Sequence, residues 1–377
     1  MRFSLWVFAL GAALAVAGCG HGPGPRTFVL HAPLQPAAQQ PVTYTAVADD
    51  PAGITAIEIW EERRALRTCR NGMPCATQIA RSQLTACRFR HPAPHAECST
   101  TAVGGYPDAS LIGYGTHAVN ARGRASDEGW VYFAAGAFPW PDLPVPVYVS
   151  RAPARSLDLV FIPDDEYAAD PEVFRRAVTH LVEDGYFASA PFAREIRGSR
   201  GHWNLYVTYR PASVGGYPGC LHPPRNWTQL RTVVNAGAVL HRRPVRDCTG
   251  LGDGALSSLG IAQSDAPVMA VHATSHTLFA LADEYCCDGA YWQTDQDPNV
   301  FETKSACRSH AAAREWPATA CVEISPPSWW RNAGASGWFR SDPRGDLMEQ
   351  IAGESEHGRS DQVRIQWLYR ECDAGRC

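Results

Sequence analysis

Two histidines four residues apart inside an almost wholly apolar helix are the strongest constraint on this chain. The stretch from Pro267 to Tyr285 carries them. Asp265 can cap a helix here, and Pro267 fits the first turn, where a missing N–H costs nothing. Val268, Met269, Val271, Leu278, Phe279 and Leu281 leave little polar surface, so the pattern predicts a buried helix. On such a helix His272 and His276 lie one above the other on one face. The spacing alone is a weak signal in a chain with 13 histidines, because core and capping histidines produce it too. The rest of the chain supplies the context.

The first residues have one positive charge, an apolar run and small residues ahead of Cys19, which reads as a secretory signal. The run is too short for a membrane span. Val16-Ala17-Gly18-Cys19 resembles the bacterial lipoprotein box, which implies a signal peptide over 1–19 and a lipid on Cys19. The expected location is then periplasmic or cell-surface, with the membrane touched only through that lipid. Residues 20–40 are rich in Pro, Gly and Ala and read as a flexible tether.

Setting Cys19 aside leaves twelve cysteines, an even number suited to an oxidising compartment. Cys69, Cys75, Cys87 and Cys98 fall in the first half; Cys220, Cys248, Cys286, Cys287, Cys307, Cys321, Cys372 and Cys377 fall in the second. Even counts on both sides suggest two domains that each close their own bridges, with connectivity left open. A net charge of −4 with no basic stripe argues against nucleic-acid binding.

Residues 41–137 show short alternating runs. Val42–Val47 and Ile54–Trp60 have strand composition and are split by Asp49-Asp50-Pro51-Ala52-Gly53; Gly115–Ala121 and Trp130–Phe133 read as closing strands. The expectation is an immunoglobulin-like β-sandwich with a disulfide-bearing excursion between Thr68 and Thr101. His91, His95 and His117 read as surface residues. Residues 138–153 contain a proline-rich run and read as the linker to a second domain, 154–377.

In that second domain Leu157–Pro163 is a buried-type strand ending in the acidic turn Asp164-Asp165-Glu166. Asp170 caps an amphipathic helix with Phe174, Ala177, Val178, Leu181 and Val182 on one face, and Trp203–Tyr209 is the next strand. Strand, helix, strand and then the His272 helix give an α/β core.

Here the chain resembles the bacterial IgA-peptidase family of zinc metallopeptidases. The residues that carry the resemblance are Asp158–Asp164, Phe187 to Phe192, Asn204–Val207, Val271-His272 through Leu281-Ala282-Asp283-Glu284-Tyr285, Gly337–Arg340 and Leu347-Met348. It covers roughly residues 155–370. It implies a multidomain protein: an N-terminal immunoglobulin-like β-sandwich followed by an α/β zincin-like metallopeptidase domain acting on protein or peptide. It also implies zinc held by His272, His276 and Asp283, with Glu284 as the alternative third ligand, and Met348 in a methionine turn beneath the metal.

Two departures from the family bear on the chemistry. Ala273 stands where the general base of His-Glu-x-x-His belongs, leaving Glu284 or Glu166 as substitute bases and impaired hydrolysis as the expectation. The other expectation is a pseudo-peptidase that binds peptide or glycan at the cell surface. A straight helix would carry Asp283 about 10 Å past His276, so the helix must end near Phe279-Ala280 and turn back. No glycine is present to make that turn. Cys286-Cys287 reads as two separate structural bridges, and Trp316, Trp329, Trp330 and Trp338 read chiefly as packing residues.

Overall fold

The computed structural model describes residues 24–68, 74–126, 129–150, 155–188, 201–212, 223–243, 248–251, 255–284, 296–324, 337–342, 346–349 and 356–377. The expected signal peptide with Cys19, and Cys69, Cys220, Cys286, Cys287, Trp329 and Trp330, lie outside them. The protein is β-rich with few helices. No helix of the described residues is long and apolar enough to cross a membrane.

The first half is built on one long ribbon, β2 (Val42–Thr68) and β3 (Pro74–Ala102), paired antiparallel along its length. Register shifts between Asp49 and Ile54 put a corner in it. Before the corner β2 pairs with β1 (Arg26–Ala32); after it, β2 pairs with β4 (Ser110–Asn120), which pairs with β5 (Gly129–Ala135). The ribbon thereby folds over, and aromatic side chains fill the space between the two layers. The His31 ring stacks on Phe133 at 3.9 Å, and its Nδ1 lies 2.8 Å from the Tyr114 hydroxyl. Burial, opposed by the Leu34 carbonyl, lowers the pKa of His31 to about 4.

Three readings of this half change. Residues 20–40 are not all tether, because Arg26–Ala32 is a strand whose Val29 and His31 are buried. Averaged composition hid a seven-residue strand among its Pro and Gly neighbours. From Pro74 onward the expected excursion is the return strand of the ribbon, and it carries the Cys87–Cys98 bridge. Its exposed Gln78, Ile79, Ala80 and Arg81 lack an inside–outside alternation, and the backbone ladder to β2 holds them. Residues 138–153 are not merely a linker, since β6 (Val145–Val149) pairs antiparallel with β8 (Trp203–Val207) and touches β5 at Tyr132. Pro146 stands opposite Tyr206 beside a register shift, the kind of place at which a strand tolerates proline.

The sheet continues from β6 through β8, β7 (Leu157–Pro163), β9 (Ala236–His241) and β11 (Leu256–Gly260) to β10 (Cys248–Leu251). Neighbours from β8 to β11 run parallel, and β10 is antiparallel. All seven residues of β7 are buried, as in a parallel strand covered on both faces. Leu159 and Phe161 join the core shared with α1 (Pro171–Leu181) and α3 (Ala266–Phe279); Val160 and Ile162 pack with Trp227 and Leu230 of the short α2 (Trp227–Leu230). Asp170 caps α1 by accepting from the Val173 N–H, while Asp265 makes no such side-chain bond at α3. A three-stranded sheet, β12 (Val300–Phe301), β14 (Phe339–Arg340) and β13 (Val322–Glu323), lies beside α4 (Lys304–Ala312). α5 (Arg359–Asp373) closes the chain against α3, with Arg364 Nε donating to the Phe279 carbonyl at 2.9 Å. The described disulfides, Cys87–Cys98, Cys307–Cys321 and Cys372–Cys377, each stay within one half of the chain.

Candidate metal centre

The helix carrying the two histidines ends at Phe279, and Ala280 takes left-handed backbone angles, φ 54° and ψ 39°. Its N–H donates to the Ser275 carbonyl, which closes the helix end and turns the chain back. Asp283 thereby returns to the face it left. Its Oδ1 lies 3.3 Å from His272 Nε2 and 3.2 Å from His276 Nε2, and the two nitrogens are 3.2 Å apart. Three atoms at the corners of such a triangle can all lie about 2.0 Å from one cation placed slightly off their plane.

The outer ring nitrogens fix the tautomers. His272 Nδ1 donates to the Leu347 carbonyl at 2.8 Å, and His276 Nδ1 donates to the Leu281 carbonyl at 2.6 Å. A carbonyl only accepts, so both Nδ1 atoms carry hydrogen, and in the neutral rings both Nε2 lone pairs face the Asp283 carboxylate. Asp283 Oδ1 is buried without a bond of hydrogen-bond geometry. A proton on one ring would relieve part of this gathering of electron pairs; a cation would satisfy all three atoms. Histidines that hold metals are oriented by this kind of Nδ1–carbonyl contact.

The returning segment is held on both sides. Asn299 accepts from the Ala282 N–H at 3.0 Å and donates to the Ala282 carbonyl at 2.8 Å and to Glu284 Oε1 at 3.2 Å. Met348 is buried in a helical turn, Leu347–Glu349, whose Leu347 carbonyl holds His272. The Glu284 N–H donates to the Met348 carbonyl at 2.9 Å, which ties the Asp283 segment to the same turn that orients His272.

Ala273 is buried and its carbonyl accepts from Ser257 Oγ. Neither carboxylate considered as a replacement base joins the histidines. Glu166 accepts from the Arg242 N–H and from Arg243 Nε, at 2.7 and 2.6 Å, near the start of α1. Glu284 points into a separate group with Asn299 and Arg340, so it is neither the third ligand nor a base beside His272 in this arrangement.

Several residues of the site left no mark in the sequence pattern. Asn299 and the Leu347 carbonyl act across gaps of 17 and 75 residues. His357 lies against Ser275, whose hydroxyl donates to the Val271 carbonyl, so His357 Nε2 donates to Ser275. Burial, aided by His272, lowers the His357 pKa to about 3 and keeps the ring neutral. Trp316 packs on His310 and under Arg359, and Trp338 packs with Ala282, Val300 and Ile324.

No known protein family and no curated protein matches the chain. Among solved structures, the sporulation control protein Spo0M from Bacillus subtilis is 10% identical, with a TM-score of 0.22 over 31% of this chain and 51% of that one. The third fibronectin III domain of human KIAA0343 protein is 13% identical, with a TM-score of 0.16 over 29% of this chain and 82% of that one. The chain spans about half or less of the length of the first solved structures it matches. Likenesses this slight carry no argument about function.

Proposed function

We propose that this is an exported, zinc-binding, metallopeptidase-like protein of the IgA-peptidase kind, with an immunoglobulin-like β-sandwich ahead of a zincin-like domain and with impaired hydrolysis. The observation that carries the reading is the triangle of His272 Nε2, His276 Nε2 and Asp283 Oδ1, with both Nδ1 atoms committed to carbonyls. Zinc bound there would supply Lewis-acid polarisation of a carbonyl and lower the pKa of a water to about 7. His272, His276 and Asp283 would hold it, and the Leu347 and Leu281 carbonyls would keep the rings oriented. At position 273 the chain has a methyl group where a proton must be taken from water and passed to the leaving amine. Losing a placed base costs about 10²–10⁴-fold in rate.

A second reading, a pseudo-peptidase that binds peptide or glycan, is favoured by the engagement of Glu166 and Glu284 away from the histidines. Zinc content and one substitution separate the readings. Purified protein should carry about one removable zinc, and His276→Ala should lose it. Ala273→Glu, with zinc retained, should raise hydrolysis of a generic protein substrate by about 10²-fold or more. Metal-free protein after exposure to zinc would overturn the site; a zinc-loaded Ala273→Glu variant with no gain would leave the binding role.

A further inference from the structure

The residue after Asp283 belongs to a second cluster with a different donor set. Glu284, Asp346 at the start of the Leu347–Glu349 turn, and Asp361 in the first turn of α5 are 1%, 4% and 0% exposed. Each offers a carboxylate oxygen, and these oxygens lie within 4.8 Å of one another. One oxygen of each group is anchored by donors. Asp346 Oδ1 accepts from the Met348 and Glu349 N–H groups at 2.9 and 3.2 Å, Asp361 Oδ2 from the Gly358 N–H at 3.3 Å, and Glu284 Oε1 from Asn299 at 3.2 Å.

The other oxygens are the independent observation. Asp346 Oδ2 is buried without a hydrogen-bond partner, and Asp361 Oδ1 makes no bond of hydrogen-bond geometry although the Asn299 amide lies near that carboxylate; both side chains are more than nine-tenths buried. Glu284 Oε2 also lacks a hydrogen bond, although Arg340 lies 3.7 Å away. That guanidinium is shared with Glu349. One cation cannot balance three neighbouring buried carboxylates, and bringing like charges together out of water is costly unless something neutralises them.

We propose that Glu284, Asp346 and Asp361 bind a hard divalent cation, calcium by preference, at a site separate from the histidine centre. The donors are all oxygen, as hard cations require. Calcium takes carboxylate-rich oxygen sets in flexible geometry at about 2.3–2.6 Å, whereas magnesium demands near-ideal octahedral geometry and keeps several waters, which a buried group of three carboxylates suits less well. Because the cluster takes in the residue after Asp283 and the turn that holds His272, the cation would brace the histidine centre without entering it. The donor sets differ, so either site can fail while the other stands.

The test counts metal on the full chain. After chelation, the protein is exposed to about 1 mM calcium chloride, passed over a desalting column, and assayed for bound calcium and for melting temperature. We expect about one calcium per chain and a rise of several degrees in melting temperature. Asp346→Asn and Glu284→Gln should each lose both effects, and His276→Ala should keep them. Two different substitutions guard against one that fails to fold. Wild-type protein that takes up no calcium, with shared protons alone neutralising the acids, would overturn the proposal. So would calcium retained in both acidic-site variants, or calcium lost from folded His276→Ala.

Discussion

Ala280 is the single residue on which the histidine site turns. A left-handed conformation costs a residue with a Cβ about 1 kcal/mol or more, and the chain bears that cost so that Asp283 can return to His272 and His276. Ala280→Gly should therefore stabilise the protein by about 1 kcal/mol, read as a higher denaturant midpoint with an unchanged slope. A lower midpoint would mean that the lost methyl packs more favourably than the backbone is strained. The same position shows where the sequence was legible. The shared face of His272 and His276 follows from spacing, and the end of the helix near Ala280 follows from the distance Asp283 must recover. The absence of glycine at the turn was no barrier, because the Ala280 N–H and the Arg364 side chain both bond carbonyls at the helix end. Asn299 and His357 were illegible because hydrogen bonds across long gaps impose no local periodicity.

At the scale of elements, β7, α1 and β8 were readable because apolar runs and a capping aspartate leave local signals. β1 and β6 were not, since their neighbours are turn formers and their pairing partners lie elsewhere in the chain. The β2–β3 ribbon was read only in pieces, because its corner interrupts the alternation. Cys87 pairs in register with Ile57 and Cys98 with Ala46, on either side of that corner, and the disulfide joins them. The bridge closes a short loop of 11 residues and holds the folded-over ribbon together. Replacing both cysteines with serine should cost about 2–3 kcal/mol in a denaturant titration. Zinc content should not change, because the bridge is confined to the ribbon. A variant as stable as the parent would show that the backbone ladder alone fixes the corner.

Across the whole molecule, an even cysteine count on each side of a proline-rich stretch suggested two separable domains, yet the described contacts run through the boundary. β6 pairs on one side with β5 and on the other with β8. Tyr148 on β6 packs against Phe187 at 5.5 Å, and both belong to a hydrophobic cluster that also includes Val29 of β1 and Phe279 of α3. Gln35 donates to the Arg175 carbonyl on α1, and Arg175 donates to the Gly136 carbonyl. Local disulfides and a common core are compatible, because bridges restrict short loops while apolar burial joins distant ones. The consequence is cooperative unfolding. Calorimetry of the oxidised protein should give one transition whose van't Hoff and calorimetric enthalpies agree. Tyr148→Ala should shift that single transition downward by about 3–5 kcal/mol, the range for truncating a buried aromatic, because it empties space that both halves line. Two resolved transitions, with only one moved by the substitution, would show instead that the halves fold independently and that β6 is a seam.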